Sequence, residues 1–128
     1  ISVCLSVEGK SDLTRKEIDE ITDWVKRPQI GASGLLWIKH NSDSSFKSSF
    51  DKFFSESDLR VISEKISSKP GDIIFIMSGE YKKTLEQLGS LRVELASMFS
   101  LIDKEKICPL LVTDFPLFEW DEEEKRFF

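Results

Sequence analysis

The sequence predicts an α+β fold, a two-layer sandwich in which helices cover one face of a mixed, mostly antiparallel sheet. Two observations predict it. Strand and helix patterns follow one another in the order β-α-β-(β)-α-β-α-β. The first strand pattern, residues 1–7, alternates apolar and polar side chains, as a strand buried on one face does. A doubly wound nucleotide-binding fold needs a parallel sheet covered on both faces, so this pattern disfavours it.

The first helix is predicted by a hydroxyl and a carboxylate three residues apart, Thr14 and Glu17, which is the spacing of a capping box. The helix should end near Lys26, because Pro28 cannot extend it. Its apolar face carries Ile18, Ile21 and Val25.

The middle of the chain predicts a short central strand at residues 35–38, which are apolar throughout. Residues 46–54 return in an extended or partly irregular form. Ser55 then begins a second helix with one apolar stripe. That stripe consists of Leu59, Ile62 and Ile66.

A strong turn signal at residues 69–72 leads into residues 73–77, five consecutive apolar residues that predict a fully buried strand. The clearest helix follows at residues 81–99, where leucines and a methionine recur every three or four positions. Gly89 lies inside this helix at a cost of about 1 kcal/mol relative to alanine. Its presence there predicts close packing or a kink. Residues 78–83 give this helix a polar entry without an obvious cap.

Residues 107–112 predict a last, buried strand, which runs into five aromatic residues, one proline and a run of four acids by Phe128. Each exposed ring forfeits on the order of 2 kcal/mol of burial, so these aromatics need a core to cover them. We therefore expect the chain to be a piece of a larger protein. Residues 119–128 should then lack packing partners or pair with a neighbouring copy.

Composition and charge exclude several classes of protein. The net charge is −5, and residues 119–128 carry five acids and two bases, which leaves −2 for residues 1–118. A body with scattered bases lacks the dense positive footprint of an autonomous nucleic-acid binder. No apolar run approaches the ~20 residues of a membrane span, and no signal peptide is recognisable. Cys4 and Cys108 lie in apolar strand patterns and are predicted to be reduced core residues of a cytoplasmic protein.

No catalytic, cofactor-binding or metal-binding residue is predicted. His40 is the single histidine, and a surface or hydrogen-bonded role is favoured over that of a general base. Two cysteines and one histidine do not make a tetrahedral zinc site. Residues 31–34 lack the glycine spacing of a phosphate cradle. A cluster of serines without a nearby base is interpreted as a solvated loop: Ser42, Ser44, Ser45, Ser48 and Ser49.

The remaining charged groups have unremarkable interpretations. Four adjacent acids, Asp121–Glu124, cannot all face one divalent ion, so a solvated turn between strands is favoured over a metal site. Five basic residues are predicted to be solvent-facing charges on helices rather than phosphate contacts: Arg60, Lys65, Lys82, Lys83 and Arg92.

Six short stretches spread along nearly the whole chain form a recognisable series. They are Leu13-Thr-Arg-Lys-Glu-Ile-Asp-Glu20, Gly34-Leu-Leu-Trp-Ile-Lys39, Lys52-Phe-Phe-Ser55, Lys69-Pro-Gly-Asp72, Leu88-Gly-Ser-Leu-Arg92 and Asp114-Phe-Pro-Leu-Phe-Glu119. In this order they resemble the insertion domain of bacterial-type aspartyl-tRNA synthetases, which also occurs in an archaeal glutamyl-tRNA amidotransferase subunit (the GAD domain).

The resemblance implies that residues 1–111 are the insertion domain and that residues 112–128 begin the return into a class II catalytic domain. The parent enzyme would join aspartate to tRNA with ATP and Mg²⁺, as a cytoplasmic homodimer without membrane contact. The family's reactive arginines and histidines fall outside this chain. The resemblance therefore implies a non-catalytic accessory that contacts the rest of the synthetase chain and lies close to tRNA.

Two alternatives remain open at this stage. The first alternative is a GAD domain of the amidotransferase subunit, and the second is a free-standing interaction module of similar architecture. Residues 114–119 favour the synthetase over the amidotransferase, because that stretch belongs to the synthetase context. A free-standing module should have a self-contained C-terminus.

Overall fold

The computed structural model describes residues 1–118, 120–121 and 124–128. Its regular elements are, in chain order, β1 (Ser2–Val7), α1 (Arg15–Lys26), β2 (Leu36–His40), β3 (Phe46–Ser48), α2 (Glu56–Lys65), β4 (Ile73–Ser78), α3 (Tyr81–Met98), β5 (Trp120–Asp121) and β6 (Arg126–Phe127). None of the helices in this part of the chain combines the length and the apolar character needed to span a bilayer.

The main sheet has four strands in the order β1-β4-β2-β3. β4 pairs antiparallel with both β1 and β2, and β2 pairs antiparallel with β3. β1 and β2 therefore run in the same direction with β4 between them, and α1 joins them as a split β-α-β crossover. The α+β class is confirmed. The sheet was expected to be mixed, but all of its pairings within the described residues are antiparallel.

The helices lie on both faces of this sheet, which corrects the expected arrangement on one face. Ile73, Phe75 and Met77 of β4 pack with α1 and α3. Ile74 of β4 packs instead with Leu59 of α2 on the opposite face. Because strand side chains alternate, five consecutive apolar residues present an apolar surface on both faces. The half-polar pattern of β1 describes a strand at the edge of the sheet. It therefore did not predict that α2 covers the second face.

Each of the three long helices begins at a side chain that accepts hydrogen bonds from free backbone N–H groups. Thr14 with Glu17 forms the predicted capping box of α1, and Ser55 with Asp58 forms a second box on α2. At α3 the carboxylate of Glu80 accepts bonds from the amides of the next turn, 2.9–3.0 Å away. The entry to α3 is therefore capped, contrary to the prediction from residues 78–83.

A buried carboxylate ties two loops to the start of β4. Asp72 is 4% exposed, and its two oxygens accept bonds from the amides of Gly9 (3.0 Å) and Lys69 (2.8 Å). The amide of His40 donates to the backbone carbonyl of Asp72 at 2.9 Å. The predicted turn at residues 69–72 is thus also the junction that fixes the end of β2 against the loop before α1.

The strand predicted at residues 107–112 is wrong for this structure. The segment is irregular, and Ile107 is 90% and Leu111 87% exposed. An apolar run predicts burial, but burial needs a complementary surface. Within the described residues this segment pairs with neither edge of the sheet. Pro109 also removes one of the backbone donors that a strand would use.

The chain ends in a small hairpin in which β5 pairs antiparallel with β6. The rings of Trp120 and Phe127 meet edge to face, with centroids 5.0 Å apart. The amide of Glu124 donates to Asp121, the last residue of β5, at 2.9 Å. The solvated turn predicted for residues 121–124 falls partly outside the described residues and stays a prediction. Three acids of the predicted tail lie outside the described residues: Glu119, Glu122 and Glu123.

Acid should weaken the fold through its helix caps. Hydrogen bonds from the amides of Lys83 and Lys82 lower the pKa of Glu80. A lowered pKa means that the charged cap stabilises the fold above the unfolded-state pKa and is lost as the pH falls through the folded value. The Glu80→Gln variant should therefore lose less stability than the parent chain on going from about pH 6 to about pH 3, measured as the urea midpoint. Glu86→Gln, at an exposed position on the same helix, is the control and should follow the parent.

Replacing Gly89 with alanine should stabilise the fold. α3 runs through Gly89 without interruption, and a Cβ there would meet nothing within 4 Å, so the expected close packing or kink is wrong. Gly89→Ala should stabilise the chain by about 0.5–1 kcal/mol in urea unfolding, since alanine favours the helix.

Gly79 provides the matched control for that substitution. A Cβ at Gly79 would lie 2.8 Å from Oγ1 of Thr84, a buried side chain held by its bond to the carbonyl of Glu80. Gly79→Ala should therefore destabilise the chain by roughly 1–3 kcal/mol. Destabilisation by both variants would contradict the open environment of Gly89.

Candidate functional site

His40 has a structural role. His40 is 8% exposed. Its Nδ1 lies 3.2 Å from Oγ of Ser63, and its ring stacks on the ring of Phe46 with centroids 4.4 Å apart. These contacts join the end of β2 to β3 and α2. Of the two roles predicted for His40, at the surface or in a hydrogen bond, the hydrogen-bonded one is confirmed and the surface one is wrong.

The two cysteines lie in different environments. Cys4 is half-buried on the α2 face of the sheet, where burial raises the pKa of its thiol. Cys108 is exposed, so its predicted place in the core is wrong, because the strand that would have buried it does not form. Both thiols are free. Across the described residues, no three His, Cys, Asp or Glu side chains are grouped as metal ligands would be.

The serine-rich segment is more structured than a solvated loop. Ser48 is 6% exposed, its hydroxyl donates to Asp51 at 2.5 Å, and it accepts from the amide of Phe50 at 3.1 Å. Ser48 thus organises the bend after β3, and its predicted place in a solvated loop is wrong. Gly31, with φ of +67°, closes the turn after α1, and residues 31–34 lead into a strand rather than a helix.

The helix cations lie where they were predicted. All five are exposed on α2 or α3: Arg60, Lys65, Lys82, Lys83 and Arg92. Arg60 forms an exposed pair with Glu56 at 3.8 Å, one turn earlier. Such a pair on a helix surface contributes little to stability. These side chains do not converge on a common site.

A group of residues that sequence reasoning did not single out does converge. Between α1 and the β2–β3 end of the sheet lies a cleft of about 520 Å³. The first turns of α1 form one wall, and the residues of β2 and β3 on the same face of the sheet as α1 form the floor. We call this cleft the basic trough and define it by Arg15, Trp37, Lys39, Lys47 and Ser49.

Two lysines face each other directly on the floor of the basic trough. Lys39 and Lys47 are cross-strand partners in the β2–β3 register. Like charges in directly opposed positions destabilise a strand pair. Burial, followed by the nearby charge of Lys47, lowers the pKa of Lys39, and the charges of Asp12 and Glu17 partly offset this effect. Nζ of Lys39 donates to the carbonyl of Leu13 at 2.5 Å, and within the described residues no carboxylate lies within ion-pair distance of either ammonium.

Trp37 supplies an aromatic surface beside these charges. Its ring is half-buried, and its backbone is held by Ser49: the Trp37 amide donates to the Ser49 hydroxyl at 3.1 Å, and the Ser49 amide donates to the Trp37 carbonyl at 3.0 Å. Nζ of Lys39 lies 5.9 Å from the centroid of the Trp37 ring. Paired cations next to a fixed ring suit a ligand that carries both negative charge and a planar group.

Sequence reasoning missed the basic trough because strand pairing creates it. Lys39 and Lys47 are eight positions apart in the chain, and they become neighbours only when residues 41–45 turn and the register is fixed. The available signal was period-2 alternation, which places residues 37, 39, 47 and 49 on one face if a hairpin is assumed. In the sequence alone the basic residues are scattered, so their pattern favoured no site.

Comparison with known proteins assigns the domain. The sequence profile of the GAD domain matches residues 3–88. The chain is 46% identical over 125 residues to the aspartate–tRNA ligase of Flavobacterium psychrophilum, 47% identical over 125 residues to that of Porphyromonas gingivalis, and 46% identical over 124 residues to that of Azobacteroides pseudotrichonymphae. These matches cover 97–98% of this chain and 21% of each ligase. Since the profile covers well over half of its residues, the chain belongs to the GAD domain family.

Proposed function

We propose that this chain is the insertion domain of an aspartate–tRNA ligase and acts as a non-catalytic accessory within that enzyme. One observation carries the proposal: similarity to aspartate–tRNA ligases extends over 98% of the chain, whereas the GAD profile ends at residue 88. The similarity thus includes nearly all of residues 89–128, which a GAD module shared with an amidotransferase subunit would not explain. The stretch 114–119 belongs to this additional region.

The chemistry of the proposed ligase belongs to the rest of the enzyme. His40 is engaged by Ser63 and Phe46, and Cys4 packs in the core beneath α2. The Ser63 hydroxyl lies 3.2 Å from Nδ1 of His40, but Ser63 is 2% and His40 8% exposed, so this pair is closed to a substrate. Within the described residues, no His, Cys, Asp or Glu side chains are grouped as metal ligands would be. We therefore assign the binding of ATP and Mg²⁺, and aspartate activation, to the part of the ligase outside this chain.

The exposed segment after α3 supports contact with the rest of the synthetase chain. Residues 101–118 carry large apolar side chains that solvent reaches freely: Ile107, Leu110, Leu111, Phe115 and Leu117 are each at least 80% exposed. Large apolar side chains exposed at this density are typical of a surface that another part of a protein covers. We propose that residues 1–111 form the insertion domain and that residues 112–128 begin the return into the catalytic domain. The complete enzyme would be a cytoplasmic homodimer.

The proposed contact with tRNA is limited in strength. Only −2 of the net charge belongs to residues 1–118, and the acids of α1 lie close to the basic trough. Affinity for nucleic acid scales with the number of phosphates that are neutralised. The domain should therefore assist a tRNA that is held mainly by other parts of the ligase.

The proposed function predicts a division of activity. The full-length protein should catalyse aspartate-dependent exchange between ATP and pyrophosphate, and this 128-residue chain should not. The assay measures incorporation of labelled pyrophosphate into ATP with aspartate, and with asparagine as the control amino acid. Exchange by the isolated chain would contradict the non-catalytic role. No exchange by the full-length protein would refute its identity as an aspartate–tRNA ligase.

Limited proteolysis should locate the uncovered segment. Trypsin should cut first after Lys104 or Lys106, which lie in the exposed stretch that follows α3. The core of residues 1–99 should survive, because its helices and sheet are packed. In the full-length protein the same bonds should be cleaved about tenfold more slowly, since the apolar segment is then covered. Equal cleavage rates in both proteins would oppose the proposed interface.

A further inference from the structure

We propose that the basic trough binds a single-stranded segment of RNA, with Lys39 and Lys47 on its phosphates and the Trp37 ring stacked on one base. The inference rests on the proposed function only for the source of the RNA, a tRNA. The site itself follows from three features: an opposed pair of cations, an aromatic ring fixed beside them, and a cleft of about 520 Å³ open to solvent.

The opposed lysines indicate an anion. Their side chains share one face at paired positions of the β2–β3 register, so each raises the electrostatic cost of the other. A phosphate placed between them relieves that cost without any change in the fold. Lys39 is already oriented by its bond to the Leu13 carbonyl, so little side-chain freedom is lost on binding at that position.

The tryptophan distinguishes a single strand from a duplex. A base can stack on a protein ring only when it has left its own helical stack, so an aromatic platform selects unpaired nucleotides. The cleft lies within the range of about 300–1,000 Å³ that is typical of small-ligand sites. This suits one or two nucleotides rather than the face of a duplex. Free phosphate satisfies the lysines but supplies no planar group to stack on the Trp37 ring.

The trough should contact only about two phosphates of the RNA. Two phosphate contacts to a single strand give a slope of about −1.4 for log affinity against log salt concentration. Arg15 is the third cation at the rim, but its guanidinium lies 3.9 Å from the carboxylate of Asp19 on the same wall. The acidic surface of α1 thus limits the contact to the floor of the trough.

Titration with RNA tests the site directly in this chain. The three tryptophans give three indole N–H signals in a nitrogen–proton correlation spectrum, and Trp37→Phe assigns the relevant one. Single-stranded RNA of roughly eight nucleotides should shift the Trp37 signal saturably, while the signals of Trp24 and Trp120 stay in place. The same RNA annealed to its complement, and inorganic phosphate, should not reproduce this shift. Equal binding of the duplex, or no shift of Trp37, would overturn the proposal.

A charge-reversal pair separates the site from general electrostatics. Lys47→Glu and Lys65→Glu change the net charge equally at exposed positions, one in the trough and one on α2. Lys47→Glu should weaken single-strand binding about tenfold or more, and Lys65→Glu less than about twofold. Lys47→Arg should retain binding. Equal losses in the two reversals would mean that no specific site exists.

The full-length protein separates failure of the trough from failure of the proposed function. There, Lys47→Glu should raise KM for tRNA in aminoacylation and leave ATP–pyrophosphate exchange unchanged. Normal exchange with an unchanged KM for tRNA would overturn the trough while leaving the ligase assignment intact. Absence of exchange in the unmodified full-length protein would remove the ligase assignment, and RNA titration of this chain would still decide the trough.

Discussion

Burial of β4 on both faces is the constraint on which the rest of the structure depends. Ile73, Ile74 and Phe75 are fully buried, and consecutive side chains point to opposite faces of the sheet. A strand of this kind must be central and must be covered twice, so α1 and α3 occupy one face and α2 the other. A register slip of one residue would exchange the two faces. The alternation in β4 therefore fixes both helical layers.

The position of β4 also determines where the basic trough lies. β2 and β3 extend the sheet beyond β4, and the cleft lies between α1 and the face of these two strands. Asp72 strengthens this arrangement, because its carboxylate and carbonyl join β4 to the loop before α1 and to His40. Lys39 immediately precedes His40. The junction that closes the core thus also holds one of the two trough lysines in place.

The sequence predicted features that form within one helical turn. It did not predict features that form only when distant strands pair. The caps of α1 and α2 were recognisable from Thr14 and Ser55, because hydroxyl and carboxylate act within one turn. Glu80 was missed because a glutamate is not among the usual capping residues. Cys108 was misplaced because an apolar pattern contains no information about what will cover it. The same limit hid the trough, since Lys39 and Lys47 are neighbours only through the strand register.

A protein with net negative charge can still hold a local anion site, because screening makes charge a short-range property. At physiological salt, interactions between exposed charges fade over about 8 Å. The acids of residues 119–128 dominate the net charge, yet the charges that act on Lys39 are local: Lys47 lowers its pKa, as burial does, and Asp12 and Glu17 raise it. Opposed lysines raise the free energy of the empty trough relative to an occupied one. That difference, rather than the overall charge, sets the preference of this face for a phosphate.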